Sequence, residues 1–131
     1  MICLVNPNNR VPSPFSGVEP PLWLGLIAGD RIAKGQDVIV VDAEAEGLTV
    51  EETVSRVNDL RPQETIIVVM GANPSVSSTP KMPVAKKLSR MMNARLTGIH
   101  PIALHYPNVI VKLFDGCPSV PWELLPMDKY I

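Results

Sequence analysis

The side chains of this chain best suited to chemistry are mostly uncharged hydrogen-bonding groups, gathered in a few loop-like stretches. The first stretch, Asn6-Pro-Asn-Asn-Arg-Val-Pro-Ser-Pro-Phe-Ser-Gly-Val-Glu-Pro-Pro21, contributes Asn6, Pro7, Asn8, Arg10, Ser16, Gly17 and Glu19. The second, Gly71-Ala-Asn-Pro-Ser-Val-Ser-Ser78, contributes Gly71, Asn73, Pro74, Ser75, Ser77 and Ser78. Gly98 and His100 form a third, smaller group, and Asp42 with nearby Glu44 closes an apolar run. Amides, hydroxyls and backbone groups hold a molecule by donating and accepting hydrogen bonds. The pattern suits binding, and no residue is assigned a catalytic role.

Each candidate also has a structural use. Asn6, Asn8 and Asn9 can satisfy turn backbone, the reason asparagine favours loops. Ser75, Ser77, Ser78 and Thr79 serve equally well as helix caps. His100, at the carboxyl end of an expected strand, can touch a ligand, although a lone histidine is more often a hydrogen-bonded structural residue; His105 is read as surface. Asp42 and Glu44 stand where an acidic residue meets a ribose in dinucleotide folds. The Gly-x-Gly-x-x-Gly turn is missing, Gly17 being the one glycine of the first loop, so a nicotinamide cofactor is not expected. Trp23, Met91 and Met92 are read as core, and Trp122 and Tyr130 as anchors of a C-terminal tail.

The elements that must position these groups follow from periodicity. Ile2–Val5 and Asp37–Asp42 are short apolar runs separated by the amphipathic stretch Leu22–Lys34, the pattern of a βαβ unit with buried parallel strands. Thr49 and Glu52 make a capping box, Val50, Val54, Val57 and Leu60 share a helix face, and Pro62 closes that helix. Thr65–Met70 reads as the third strand. A helix is expected from about Thr79 to Asn93, with Pro80 at its first position, Pro83 in its first turn, and Ala85, Leu88, Met91 and Met92 as its core stripe. Thr97–Leu104 is the weakest strand and Asn108–Phe114 a fifth. The alternation predicts a doubly wound parallel sheet in a three-layer α/β/α fold, Rossmann-like or flavodoxin-like. Residues 1–114 form the domain and 115–131 a surface tail. In such sheets ligands bind beyond the carboxyl ends of the strands. A first loop this long at that edge is oversized for a mere connection.

Bulk properties narrow the function. A length of 131 residues, 46% hydrophobic and 19% charged, suits one globular domain. A net charge of −1 with no Lys/Arg block gives no electrostatic footprint for nucleic acid. No apolar run is long enough to cross a bilayer and no basic signal flank precedes the first strand, so a cytoplasmic protein is expected. Cys3 and Cys117 fit neither a disulfide framework nor a metal-binding spacing.

The run Pro21-Leu-Trp-Leu-Gly-Leu-Ile-Ala28, followed by Gly35-Gln-Asp-Val-Ile-Val-Val-Asp42, resembles the N-terminal cobalamin-binding domain of radical SAM enzymes. That superfamily includes the anaerobic magnesium-protoporphyrin IX monomethyl ester cyclases and many methyltransferases. Asn73-Pro-Ser-Val-Ser-Ser-Thr-Pro80, Gly98-Ile-His-Pro-Ile-Ala103 and Val120-Pro-Trp-Glu-Leu-Leu-Pro-Met-Asp-Lys-Tyr130 are similar in order and spacing, the last to the linker that leads into the radical SAM barrel. The resemblance covers nearly the whole chain. It implies cobalamin as cofactor, with the loops 6–21 and 71–79 contacting the corrin. It also implies no histidine ligand to cobalt, because the Asp-x-His-x-x-Gly motif of better-known cobalamin domains is absent.

The Cys-x-x-x-Cys-x-x-Cys motif for a [4Fe–4S] cluster is also absent, so cluster and S-adenosylmethionine belong to a barrel in a full-length parent, of which this sequence looks like an excised domain. Only Leu-His-Tyr-Pro separates Ala103 from Asn108, too few residues for a parallel crossover; either the last strand pairs differently or a segment is lost. Two other classes stay open. One is a flavodoxin-like domain for a flavin or nucleotide phosphate, against which stand the five prolines of the first loop, each lacking a backbone donor. The other is a receiver-like or ligand-free scaffold, against which stand Asn6 and Gly71, where receivers need acidic residues and a phosphorylatable Asp.

Overall fold

The computed structural model describes residues 1–8, 21–69, 74–97, 109–110 and 120–129, and of 74–82, 97 and 109–110 the backbone alone. Five strands, β1 (Ile2–Asn6), β2 (Val38–Asp42), β3 (Glu64–Val68), β4 (Arg95–Thr97) and β5 (Val109–Ile110), form one sheet. Its order is β2-β1-β3-β4-β5 and every pairing is parallel. The helices are α1 (Leu22–Ala33), α2 (Val50–Leu60) and α3 (Pro74–Met92), followed by two 3-10 turns, Trp122–Leu124 and Met127–Lys129. This is the doubly wound, three-layer arrangement predicted by the alternation. Among the described residues no helix is long and apolar enough to cross a membrane.

Strand alternation divides the core in two. Ile2 and Leu4, with Val38, Val40, Ile66 and Val68, face α1 and pack on Leu24, Ile27 and Ala28. Cys3, Val5, Ile39, Val41, Ile67 and Val69 face the other way, onto Val54 and Val57 of α2 and Ala85 and Leu88 of α3. Both faces are apolar because both are covered, so each strand reads as an unbroken hydrophobic run. Each fully buried Leu or Ile adds about 1.5–3 kcal/mol relative to exposure. α2 starts as its residues dictate: the Thr49 hydroxyl accepts from the Glu52 N–H at 3.0 Å, and the Glu52 carboxylate accepts from the Thr49 N–H at 3.0 Å. It stops at Arg61, which turns left-handed before Pro62.

Four expectations need correction. α3 begins at Pro74 rather than Thr79, so the backbone of Pro74, Ser75, Ser77 and Ser78 is helical and not loop. Pro74 takes the first helical position that Pro80 was expected to hold, while Pro80 and Pro83 lie inside the helix. Each interior proline forfeits one helical hydrogen bond; the run from Val84 onward, seated on the core through Ala85 and Leu88, keeps the helix in place. Second, the fourth strand is Arg95–Thr97, only three residues long, and not 97–104. Third, β5 does pair parallel with β4, in the register Leu96↔Val109, so the last strand does not pair differently. Residues 98–108 lie outside the described residues, as do 70–73 and 111–119.

The fourth correction concerns side chains. Met91 is 49% exposed, and only Met92 packs on the core. Trp122 does not anchor the C-terminal segment, being 44% exposed. Leu125 does so, at 6% exposure among Leu4, Leu24, Ile66 and their neighbours, with Val120 packed beside it. Val120 sits against Gly25 of α1, so close that a Cβ at position 25 would stand 2.6 Å from its Cγ1. Tyr130 lies outside the described residues.

Candidate functional site

In a parallel sheet all strands end at one edge, and here that edge carries Asn6, Asp42, Val68 and Thr97. The chain after β1 reaches β2 on one side through α1, and the chain after β3 reaches β4 on the other through α3. Neighbouring strands β1 and β3 therefore send their connections to opposite faces, opening a crevice between them at the carboxyl edge. The sequence marked 6–21 and 71–79 as candidate ligand loops, and they follow β1, which ends at Asn6, and β3, which ends at Val68, at this edge.

The described part of this edge is a hydrogen-bonded frame. Asn6 and Asp42 are partners in the β1–β2 register and both are only 1% exposed. The Asn6 amide donates to Asp42 Oδ1 at 2.8 Å and approaches Glu44 Oε2 at 3.4 Å. Asp42 Oδ1 also accepts from the Ala45 N–H at 3.1 Å. Backbone bonds Ala43 N–H to Asn6 O (3.0 Å), Glu46 N–H to Asp42 O (3.1 Å) and Leu48 N–H to Ala43 O (2.9 Å) fold residues 42–48 into a compact turn. Gly47 completes it at φ +64, a conformation that glycine adopts without strain. Asn8 then reaches across to the Leu48 carbonyl at 3.3 Å, and Pro7 between the two asparagines is buried.

Of the candidate residues, the structure thus brings Asn6, Pro7, Asn8 and Asp42 together. Asn8 satisfies turn backbone, as weighed, through the Leu48 carbonyl, whereas Asn6 donates to the Asp42 and Glu44 carboxylates. Asp42 Oδ1 accepts from the Asn6 amide and from the Ala45 backbone N–H. Pro74, Ser75, Ser77 and Ser78 begin α3 on the far side of the crevice. Arg10, Ser16, Gly17, Glu19, Gly71, Asn73, Gly98 and His100 lie outside the described residues. The sequence reading missed the pairing of Asn6 with Asp42 and the tie from Asn8 to Leu48. One signal for the first was present: both apolar runs end in a polar residue, and aligning the runs as parallel neighbours sets those two side by side.

The opposite edge carries a shallow polar groove of about 410 Å³, lined by Pro62, Gln63, Glu64, Thr65, Met92, Asn93 and Arg95. Glu64 and Arg95 pair across it at 3.3 Å with both side chains partly in solvent. None of these residues carries a candidate role from the sequence. Cys3 is buried in the α2/α3 face of the sheet, and desolvation pushes its thiol up to about 12 from 9.0, so it stays protonated and unreactive. Among the described residues no group of three His, Cys, Asp or Glu side chains could hold a metal ion. Compared with known proteins, the chain matches no family model, no curated protein and no solved structure. The class it belongs to is therefore defined by its fold: a doubly wound parallel α/β domain with a crevice between β1 and β3.

Proposed function

We propose that this chain is a cobalamin-binding domain of the kind that accompanies the barrel of radical SAM enzymes, holding the corrinoid at the carboxyl edge between the segments 6–21 and 71–79. The observation that carries this reading is the crevice between β1 and β3, from which both of those segments depart. β3 and β4 end at this same edge, at Val68 and Thr97, shortly before two of the stretches on which the resemblance rests, 73–80 and 98–103. The donor chemistry fits a corrin. Its rim is a ring of neutral amides, and the sequence of the two flanking segments is rich in neutral asparagine, serine and threonine, while the buried Asp42 carboxylate is already compensated by Asn6 and Ala45.

Bound cobalamin would supply the cobalt chemistry, while an iron–sulfur cluster and S-adenosylmethionine would come from a barrel that this sequence does not contain. The chain itself binds, orients and shields. His100 and His105 are assigned no role at cobalt, and the protein is placed in the cytoplasm.

A second reading, a flavin domain, is favoured by one observation: the strand order is that of flavodoxin-like folds, whose flavin sits at this same crevice. The five prolines of 7–21 weigh against it, because a phosphate cradle is built from backbone N–H groups that proline lacks. Gel filtration of the chain after incubation with hydroxocobalamin, and separately with FMN, decides between them. Corrinoid absorbance should travel with the protein and flavin fluorescence should not. Retention of FMN alone would move the assignment to the flavin class, and retention of neither would remove both.

A further inference from the structure

We infer that α3 is a jointed helix: at Pro80 and Pro83 its core-anchored part, 84–92, gives way to a first part, 74–79, that opens and re-forms by itself. In a helix each carbonyl accepts from the N–H four residues on, so the carbonyls of 74–79 look to the N–H groups of 78–83. Pro80 and Pro83 have no N–H, and four of those six bonds remain. The loss falls at the seam. Only the N–H groups of 80–83 join 74–79 to the rest of the helix, and the prolines remove half of them. An isolated helix needs about 12–15 residues to persist in water, so six residues held this way do not sustain themselves.

The second part is held by packing and by its cap. Ala85 and Leu88 are fully buried on the sheet, and Val84 and Met92 pack against the same cluster. Asn93 ends the helix in the left-handed region at φ +51. The Ser89 carbonyl accepts from the Ala94 N–H at 3.1 Å, and its hydroxyl donates to the Ala94 carbonyl at 2.7 Å. Length sets the joint where it is. At about 1.5 Å per residue the 19 residues of α3 span about 28 Å, against about 17 Å for the five residues of β3. Met92 lies beside Glu64 and Thr65, at the amino end of β3. Counting back from there, about 11 residues of helix match the strand, which reaches to about residue 82. The weakened seam and the end of the supporting strand therefore coincide. Opening of the first part reshapes the β3 side of the carboxyl edge while Ala85 and Leu88 keep the core closed. The joint exists whichever ligand that edge takes.

The test compares the full chain with the double variant Pro80→Ala/Pro83→Ala by amide hydrogen exchange, resolved residue by residue with NMR and without ligand. The informative amides of the first part and the seam are those of 78, 79, 81 and 82, since the first turn of any helix lacks intrahelical acceptors. The amides of 84–92 report the anchored part. Alanine at both positions restores the two missing donors and favours the helix.

In the parent chain the amides of 78, 79, 81 and 82 should exchange together, at least roughly tenfold faster than those of 84–92, with a step in protection between them. In the double variant their exchange should slow at least roughly tenfold, and that of 84–92 should stay as it was. Protection that runs evenly through 78–92 in the parent overturns the joint, and so does a smooth gradient with no step. A step that the double variant leaves unchanged overturns it as well, because the prolines would then not be its cause.

Discussion

Replacing Gly25 by alanine asks whether the C-terminal segment is docked on α1. Gly25 is buried in the first turn of that helix, its N–H donating to the Pro21 carbonyl at 3.0 Å, and alanine is favoured over glycine in a helix by about 0.5–1 kcal/mol through backbone entropy. Against this gain stands Val120, whose Cγ1 would lie 2.6 Å from the new methyl group. Carbon atoms rest about 3.5–4.0 Å apart, so Val120 must retreat by about 1 Å. It is joined through a short 3-10 turn to Leu125, which is fixed in the core. Overpacking of this kind costs about 1–3 kcal/mol, so the net change for Gly25→Ala is a loss of about 0–2.5 kcal/mol. In a Val120→Ala background the nearest remaining Val120 atom is Cβ at 3.6 Å, an ordinary contact. There Gly25→Ala should stabilise by its full helix-propensity gain. The cycle of four proteins, measured by urea unfolding with circular dichroism, should give a coupling of about 1–3 kcal/mol. Gly25→Ala that stabilises equally in both backgrounds would refute the docked position of residues 120–125.

Three further outcomes follow from packing, capping and burial. Leu125→Ala should cost about 2–4 kcal/mol in the same assay and Trp122→Ala no more than about 0.5 kcal/mol, since only the leucine is buried; equal losses would contradict the assigned anchor. Thr49→Ala should destabilise by about 1 kcal/mol and Thr49→Ser by much less, because serine keeps the oxygen that caps α2. Cys3 should resist iodoacetamide in the native state and react once urea unfolds the chain, read by peptide mass spectrometry. Its folded pKa is raised, so the stability this thiol contributes is complete below about 9 and lost as pH rises toward about 12. Falling stability is therefore expected across that alkaline window, and Cys3→Ala should flatten the fall.

What the sequence disclosed, and what it did not, divides along the range of the interactions involved. β1, β2, β3 and α2 were legible because apolar runs and a capping box are local signals that the fold then reinforces. The start of α3 was not. Pro80 satisfies the local rule for a first helical position as well as Pro74 does, and tertiary packing of Ala85 and Leu88 outweighs the interior prolines. β4 and β5, three and two residues long, are too short for a period-two pattern to register. Leu125 outranks Trp122 as an anchor for a reason no local pattern carries, namely which of them meets Leu4, Leu24 and Ile66. The bonds from Asn6 to Asp42 and from Asn8 to the Leu48 carbonyl depend on strand register, and each residue alone reads as an ordinary polar residue at the end of a strand.

Hydrogen exchange of the chain with and without hydroxocobalamin, resolved by peptide mass spectrometry, tests the proposed function most directly, because it asks at once whether and where the corrinoid binds. Protection is predicted in peptides covering 6–21 and 69–79, at the carboxyl edge, with peptides covering 60–65 and 91–95 at the opposite groove unchanged. Protection at Gln63, Glu64 and Arg95 instead, or no protection anywhere at saturating hydroxocobalamin, would contradict it.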